Sequence, residues 1–331
     1  MSTFKKVSLA VLILGSLVTC KETDKVPQNK ISETTISKTQ KDFPGNYVTK
    51  EYHQRNEGYD WIAIAVREKG PNTIGISVRS RADKKRPTCT LDTKAYKVND
   101  SLFSSVVNGV AVMFTFHKGI LNISTERPEQ EAALQFYCSG GGNFTGDYER
   151  IEGDLDRSQI DPTLFTKTLE LQGIGFLVSS KAGNNEKVLE ILPYGLEIDN
   201  SAIKLAIEGS IVEVEVEDLN SDGFPELLVY LSSDGSGSYG EVIGYSVNNG
   251  KSISPVYMPP ITQDQKLSKG YMGHDEFSII ETSLVRRFPI YKDGDNNANP
   301  TGGIRQIEYK LEDGEASRLF VIKNSIDFPE L

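Results

Sequence analysis

Short apolar runs follow one another along most of the chain, several alternate with polar residues, and turn residues separate them; this pattern predicts strands rather than helices. In the first half the runs are Trp61–Val66, Thr73–Val78, Val110–Phe116 and Leu121–Ser124. His117-Lys118-Gly119 breaks the pattern with a turn signal, so the runs on either side of it are expected to form a hairpin. Phe136-Tyr137-Cys138 reads as the end of a further strand before the glycines Gly140 to Gly142. The second half continues with Thr166–Leu171, Ile174–Val178, Val188–Ile191 and Ile211–Val216, the last with valines on one face and glutamates on the other. Glu226–Leu231, Val242–Ser246, Phe277–Ile280 and Arg305–Lys310 complete the series. Long amphipathic helical patterns are missing, which argues against an α/β nucleotide-binding architecture. The expectation is an all-β protein with two antiparallel β-sandwich or barrel-like domains, divided at the polar, acidic stretch Glu149 to Asp161.

The first residues change the picture from fold to address. Lys5 and Lys6 precede a mostly apolar run, Val7 to Leu17, that is too short to span a bilayer, and Leu17-Val18-Thr19-Cys20 resembles the lipobox of bacterial lipoproteins. That resemblance implies a signal peptide over 1–19, lipidation of Cys20 and attachment to a membrane through lipid. Lys21 after the cysteine points to the outer membrane, and Lys21-Glu22-Thr23-Asp24 is similar to a surface-export tag, so a periplasmic and an exterior position both stay open. Residues 20–52 are rich in Lys, Thr, Ser, Pro and Asp and read as a flexible tether. An N-terminal β domain over 53–150 and a C-terminal β domain over 151–331 follow. With Cys20 assigned to lipid, Cys89 and Cys138 remain as an even pair in a compartment that permits disulfides; two buried free thiols are the alternative.

The formal charge of −10, or −12 once Lys5 and Lys6 leave with the signal, argues against nucleic-acid binding and favours a basic partner. Three stretches carry candidate chemistry. Asp218, Asn220, Asp222 and Glu226 place oxygens at alternating positions around Gly223, as calcium loops do, although the twelfth position would be Val229 and a self-capped acidic turn explains the same residues. Gly270-Tyr271-Met272-Gly273-His274-Asp275-Glu276 gathers a histidine, two carboxylates and an aromatic; hydrolase chemistry would require His274 to meet Ser236 or Ser238, and neither serine sits in a nucleophile elbow. His53, His117 and His274 are not spaced for zinc. Arg286, Arg287 and Arg305 stand as pairing candidates for Asp275, Glu276 or a partner's carboxylates.

Gly235-Ser236-Gly237-Ser238-Tyr239-Gly240 is the most suggestive segment. Its glycines permit a narrow protrusion, and Tyr239 is a rigid amphipathic anchor of the kind that dominates interfaces; an ordinary Gly/Ser turn is the alternative. Taken with Asp218–Gly223, Tyr245–Ser252, Gly270–Phe277, Arg286–Pro289 and Thr301–Gln306, this stretch resembles the periplasmic inhibitor of invertebrate-type (i-type) lysozyme over about 209–323. The resemblance implies a non-enzymatic inhibitor whose loop enters the lysozyme cleft, with Ser236 and Tyr239 as the inhibitory positions; Gly237, Ser238, His274 and Arg286 are further candidates for the partner contact. The implied partner is a lysozyme, i-type by the resemblance. A lipoprotein that binds a glycan or another protein, with or without calcium, is the alternative, and pairing of two chains through an edge strand stays open. The first β domain lies outside the resemblance.

Overall fold

The computed structural model describes residues 43–183 and 186–329. The expected signal peptide, Cys20 and the tether up to residue 42 lie outside the described residues.

The first eight strands, β1 (Gly45–Val48), β2 (Ile62–Gly70), β3 (Thr73–Ser80), β4 (Leu91–Asn99), β5 (Leu102–Val107), β6 (Val110–His117), β7 (Ile120–Thr125) and β8 (Gly146–Ile151), form a closed antiparallel barrel in which β1 pairs with both β2 and β8. The expected hairpin is present: His117 pairs with Ile120 across Lys118 and Gly119, both at positive φ. Strand β1 falls inside the stretch read as tether. Four residues are too few to show a period, and what selects them is tertiary: Tyr47 enters the barrel core with Ile64, Phe114 and Tyr148, while Val48 faces a second cluster around Trp61.

That second cluster also takes in part of the acidic stretch. Leu155 and Ile160 pack on Tyr52, Trp61 and Ala63, and the buried Asp161 accepts hydrogen bonds from Thr90 Oγ1 at 2.7 Å and its own Thr163 neighbours. The segment is a strap on the barrel wall. Phe136 and Tyr137 are likewise not strand: Pro128–Tyr137 is 3₁₀-helical, started by Pro128 and by the Gln130 side chain accepting from the Arg127 N–H. Its Leu134 is fully buried in the barrel core, and Cys138 at its end bonds to Cys89.

The second half is built of antiparallel β-strands, as expected. It comprises three four-stranded antiparallel sheets: β9 (Thr163–Leu171), β10 (Ile174–Ala182), β11 (Lys187–Tyr194) and β12 (Ile203–Ile207); β13 (Ser210–Glu217), β14 (Glu226–Ser232), β15 (Gly240–Asn248) and β16 (Ser252–Val256); then β17 (Glu276–Ile280), β18 (Ser283–Pro289), β19 (Ile304–Glu312) and β20 (Leu319–Phe328). The middle sheet contributes to two cores. Leu227, Val229 and Leu231 of β14 pack with Phe176 and Ile191 of the first sheet, while Leu228 and Tyr230 pack with Leu284, Phe288 and Tyr309 of the third. A strand covered on both faces needs apolar residues at every position, which is why Leu227–Leu231 is continuous rather than alternating. In β13 a register shift between Ile211 and Glu213 leaves Val212 exposed, and Ile211 and Val214 then share the buried face.

Charged groups join the barrel to the first sheets. Arg79, buried, donates to Thr163 O at 2.7 Å and to Asp92 Oδ2 at 2.6 Å, and the same carboxylate oxygen accepts from Thr166 N. Glu213 accepts from Lys167 Nζ at 2.7 Å and pairs with Lys94 of the barrel. Burial opposes ionisation of Glu213, but the two lysines and the Val214 N–H outweigh it and hold the carboxyl below its ordinary range.

Two outcomes follow. The stability that Glu213 contributes is complete above its unfolded pKa and is lost as pH falls through the lower folded one, so Glu213→Gln should flatten the acid limb of a stability–pH profile between those values; an unchanged limb would show the pair contributes nothing. Replacing Cys89 and Cys138 together by Ala should lower stability in urea unfolding by about 2–4 kcal/mol.

Candidate partner-binding loop

Residues 233–239 connect β14 to β15. The neck is closed by reciprocal bonds: Ser233 N donates to Tyr239 O and Tyr239 N donates to Ser233 Oγ, both at 2.9 Å, and inside it Ser238 N donates to Gly235 O. Ser238 sits at φ 43°, and a Cβ at Gly237 would lie 2.5 Å from the Tyr239 ring, so this position admits no side chain while the tyrosine stays where it is. Ser236 is exposed, and Tyr239 is 51% exposed.

A second loop, residues 270–275, supports the first from behind. His274 N donates to Gly237 O at 2.7 Å. Gly273, at φ 92°, lies so close that a Cβ would be 2.0 Å from the same carbonyl oxygen. Asp275 Oδ2 accepts from Gly240 N at 2.7 Å, where β15 begins. The carboxylate is fully enclosed: Arg286 Nε donates to Oδ1 at 2.7 Å, Tyr271 Oη donates to Oδ2 at 2.6 Å, and Arg286 Nη2 donates to Tyr271 Oη at 2.9 Å. The guanidinium lies over the rings of Tyr271, Phe277 and Phe288, and the Tyr271 ring meets Tyr239 edge-on at 5.7 Å. Burial pushes the Tyr271 hydroxyl up, reinforced by Asp275; for Arg286 burial works the other way, but Asp275 outweighs it and the guanidinium is held more firmly protonated.

The third support is Asn297. Its Nδ2 donates to Ser236 O at 2.6 Å, its Oδ1 lies 3.1 Å from His274 Nε2, and its carbonyl accepts from Tyr291 Oη. Asp295 holds the surrounding turn by accepting from Lys292 N and Thr301 N.

The residues read from the sequence thus separate into two kinds. Ser236 and Tyr239 are exposed on the surface of one loop with Gly237 and Ser238 half-buried between them, and His274, also half-buried, is bonded to that loop. Arg286 does not reach that surface; its side chain is 5% exposed and paired with Asp275, so it positions the loop and is not a rim contact. His274 is bonded to Asn297, and among the described residues it has no hydrogen bond to Ser236 or Ser238. Tyr271 and Asn297 are central here. Tyr271 lay within a recognised block, whereas Asn297 stands in an Asp/Asn-rich turn that offers no signal beyond a loop.

In the acidic turn the carboxylates are hydrogen-bonded within the chain. Asp218 accepts from the N–H groups of Asp222 and Gly223, Asp222 accepts from Phe224 N and from Arg318 at 2.5 Å, and the buried Glu226 accepts from Leu219 N, Ser246 Oγ and Arg318. Asn220 Oδ1 accepts from Asp222 N. The oxygens accept from their own backbone, and Arg318 supplies an opposing charge at Asp222 and Glu226. Among the described residues, no group of three or more His, Cys, Asp or Glu side chains is arranged to hold a metal.

No family model and no curated protein matches the chain. Among solved structures it is similar to one described as an endo-1,4-beta-xylanase from Bacteroides thetaiotaomicron VPI-5482, at 10% identity, covering 87% of this chain and 97% of that one, with a TM-score of 0.33. A likeness that low carries no argument about function.

Replacing Asp275 by Ala should cost about 3–5 kcal/mol in urea unfolding, because it leaves a buried guanidinium unpaired. A loss below about 1 kcal/mol would mean that water or another carboxylate reaches Arg286.

Proposed function

We propose that the chain is a lysozyme inhibitor, held at the bacterial envelope through lipid on Cys20, that closes an active-site cleft with Ser236 and Tyr239. The observation that carries this reading is an aromatic side chain held half exposed at the neck of a loop whose backbone is fixed by three separate supports. A loop ordered before contact loses little conformational entropy on binding, which is the condition for a small protrusion to bind tightly.

The chemistry of the target suits the loop. Lysozymes act with one carboxylic acid and one carboxylate flanking the glycosidic bond. Hydroxyl groups can donate to the carboxylate and accept from the acid, so Ser236 and Tyr239 satisfy both without bringing a further negative charge into a closed cleft. Glycan and water are excluded, and the inhibitor itself presents no bond to be cleaved at a glycosidic centre. The net charge, −12 without Lys5 and Lys6 of the signal, attracts a basic enzyme and speeds association at low salt. An i-type enzyme is the first candidate on the resemblance given above.

The test is inhibition of c-type, g-type and i-type lysozymes by the chain and by Tyr239→Ala. Removal of an anchoring aromatic should weaken inhibition at least about 30-fold, corresponding to about 2 kcal/mol, with thermal unfolding unchanged. Equal inhibition by a folded Tyr239→Ala protein would remove the loop from the interface. Failure to inhibit any class would transfer the loop to a partner other than lysozyme.

A further inference from the structure

A groove of about 660 Å³ lies between the barrel and the outer face of the first sheet, lined by residues with no part in the loop. One wall is the end of the Pro128–Tyr137 segment beside the disulfide; the other is β9 to β11. Phe136 is 64% exposed there, and Leu177, Leu192 and Tyr194 are 37–40% exposed. Single exposed apolar side chains are ordinary, but four lining one concavity mark a binding surface.

Strand register explains the sheet wall. Thr168, Leu177 and Leu192 pair directly across β9, β10 and β11 and form one row, and Glu170, Gly175 and Tyr194 form the next on the same face. Gly175 leaves a gap into which the Tyr194 ring lies down: a Cβ at position 175 would be 2.0 Å from its Cζ. Tyr194 Oη lies 3.4 Å from Glu170 Oε2. The tyrosine therefore covers the sheet with one ring face and leaves the other outward. On the facing wall Phe136 meets Tyr137 edge-on at 5.1 Å, and Cys138 anchors both through its bond to Cys89.

The lining discriminates among ligand classes. A hydrocarbon chain would cover the Glu170 carboxylate and the Thr168 hydroxyl without hydrogen bonds, which is costly. An anion meets Glu170 in a chain of net charge −10, and Lys167, the cation among the lining residues, is committed to Glu213. A sugar ring satisfies both parts, because its C–H face packs on an aromatic ring while its hydroxyls donate to a carboxylate and to threonine oxygens. We infer that this groove binds a neutral oligosaccharide, with a sugar ring stacked on Tyr194 or Phe136 and a hydroxyl donated to Glu170.

Chitohexaose, cellohexaose and xylohexaose titrated into the full chain, followed by calorimetry and by methyl NMR of Leu177 and Leu192, test the assignment. Saturable binding of at least one is expected, with shifts at both leucines. Tyr194→Ala, Phe136→Ala and Glu170→Gln should each weaken it at least tenfold, Tyr194→Phe should retain it, and lysozyme inhibition should be the same in all four. The inference is overturned by no saturable binding of any of the three sugars at millimolar concentration, by binding that ignores all these substitutions, or by leucine shifts with dodecanoate and none with sugars. Because the groove and the loop share no residue, either result stands independently of the inhibitor proposal.

Discussion

The buried pair of Arg286 and Asp275 ties an exposed loop to the interior of the third sheet. The carboxylate is shared among a guanidinium, a phenol and the N–H that begins β15, so the same oxygens that neutralise a buried charge also fix where the protruding loop leaves the sheet. A pair enclosed to this degree gains little net stability over apolar packing, because desolvation consumes much of the Coulomb attraction. What it contributes is geometry. Each group has one arrangement in which all its hydrogen bonds are made, and that arrangement places the Tyr239 ring against Tyr271.

The layered sheets make this possible. A loop between β14 and β15 springs from the middle sheet, whose strands are covered on both faces, while its supports come from segments flanking the third sheet. The loop is therefore anchored in a sheet packed on both faces and braced by a neighbour. Gly237 and Gly273 meet at the point of closest approach, where a side chain on either would collide with the Tyr239 ring or with the opposing backbone.

The barrel is built on other terms. Its core is an aromatic and aliphatic cluster that includes Leu134, Phe144 and the disulfide's Cys89, and it meets the sheets through Arg79, Asp92, Lys94, Lys167 and Glu213. Polar junctions of this kind are specific in direction, since each charged group must find its partner. They also leave concave space between the two bodies, and there Phe136 and Tyr194 are exposed.

Strand content, the hairpin at Lys118-Gly119 and the loop around Tyr239 were legible in the sequence, because each follows from neighbours in the chain, by alternation or turn chemistry; the pairing of Cys89 with Cys138 was legible only from the count left once Cys20 is assigned to lipid. The continuous apolar run of β14 signalled burial without saying between which sheets. Strand β1, the strap of Leu155 and Ile160, and Asn297 beneath Ser236 were decided by tertiary structure alone. In each of these the local preference is weak and a partner distant in sequence supplies the stabilising contact. The same holds for Arg286 and for the acidic turn at Asp218. Their residue types indicate charge, and only the fold determines whether that charge faces a partner, a cation or a carboxylate of the protein's own.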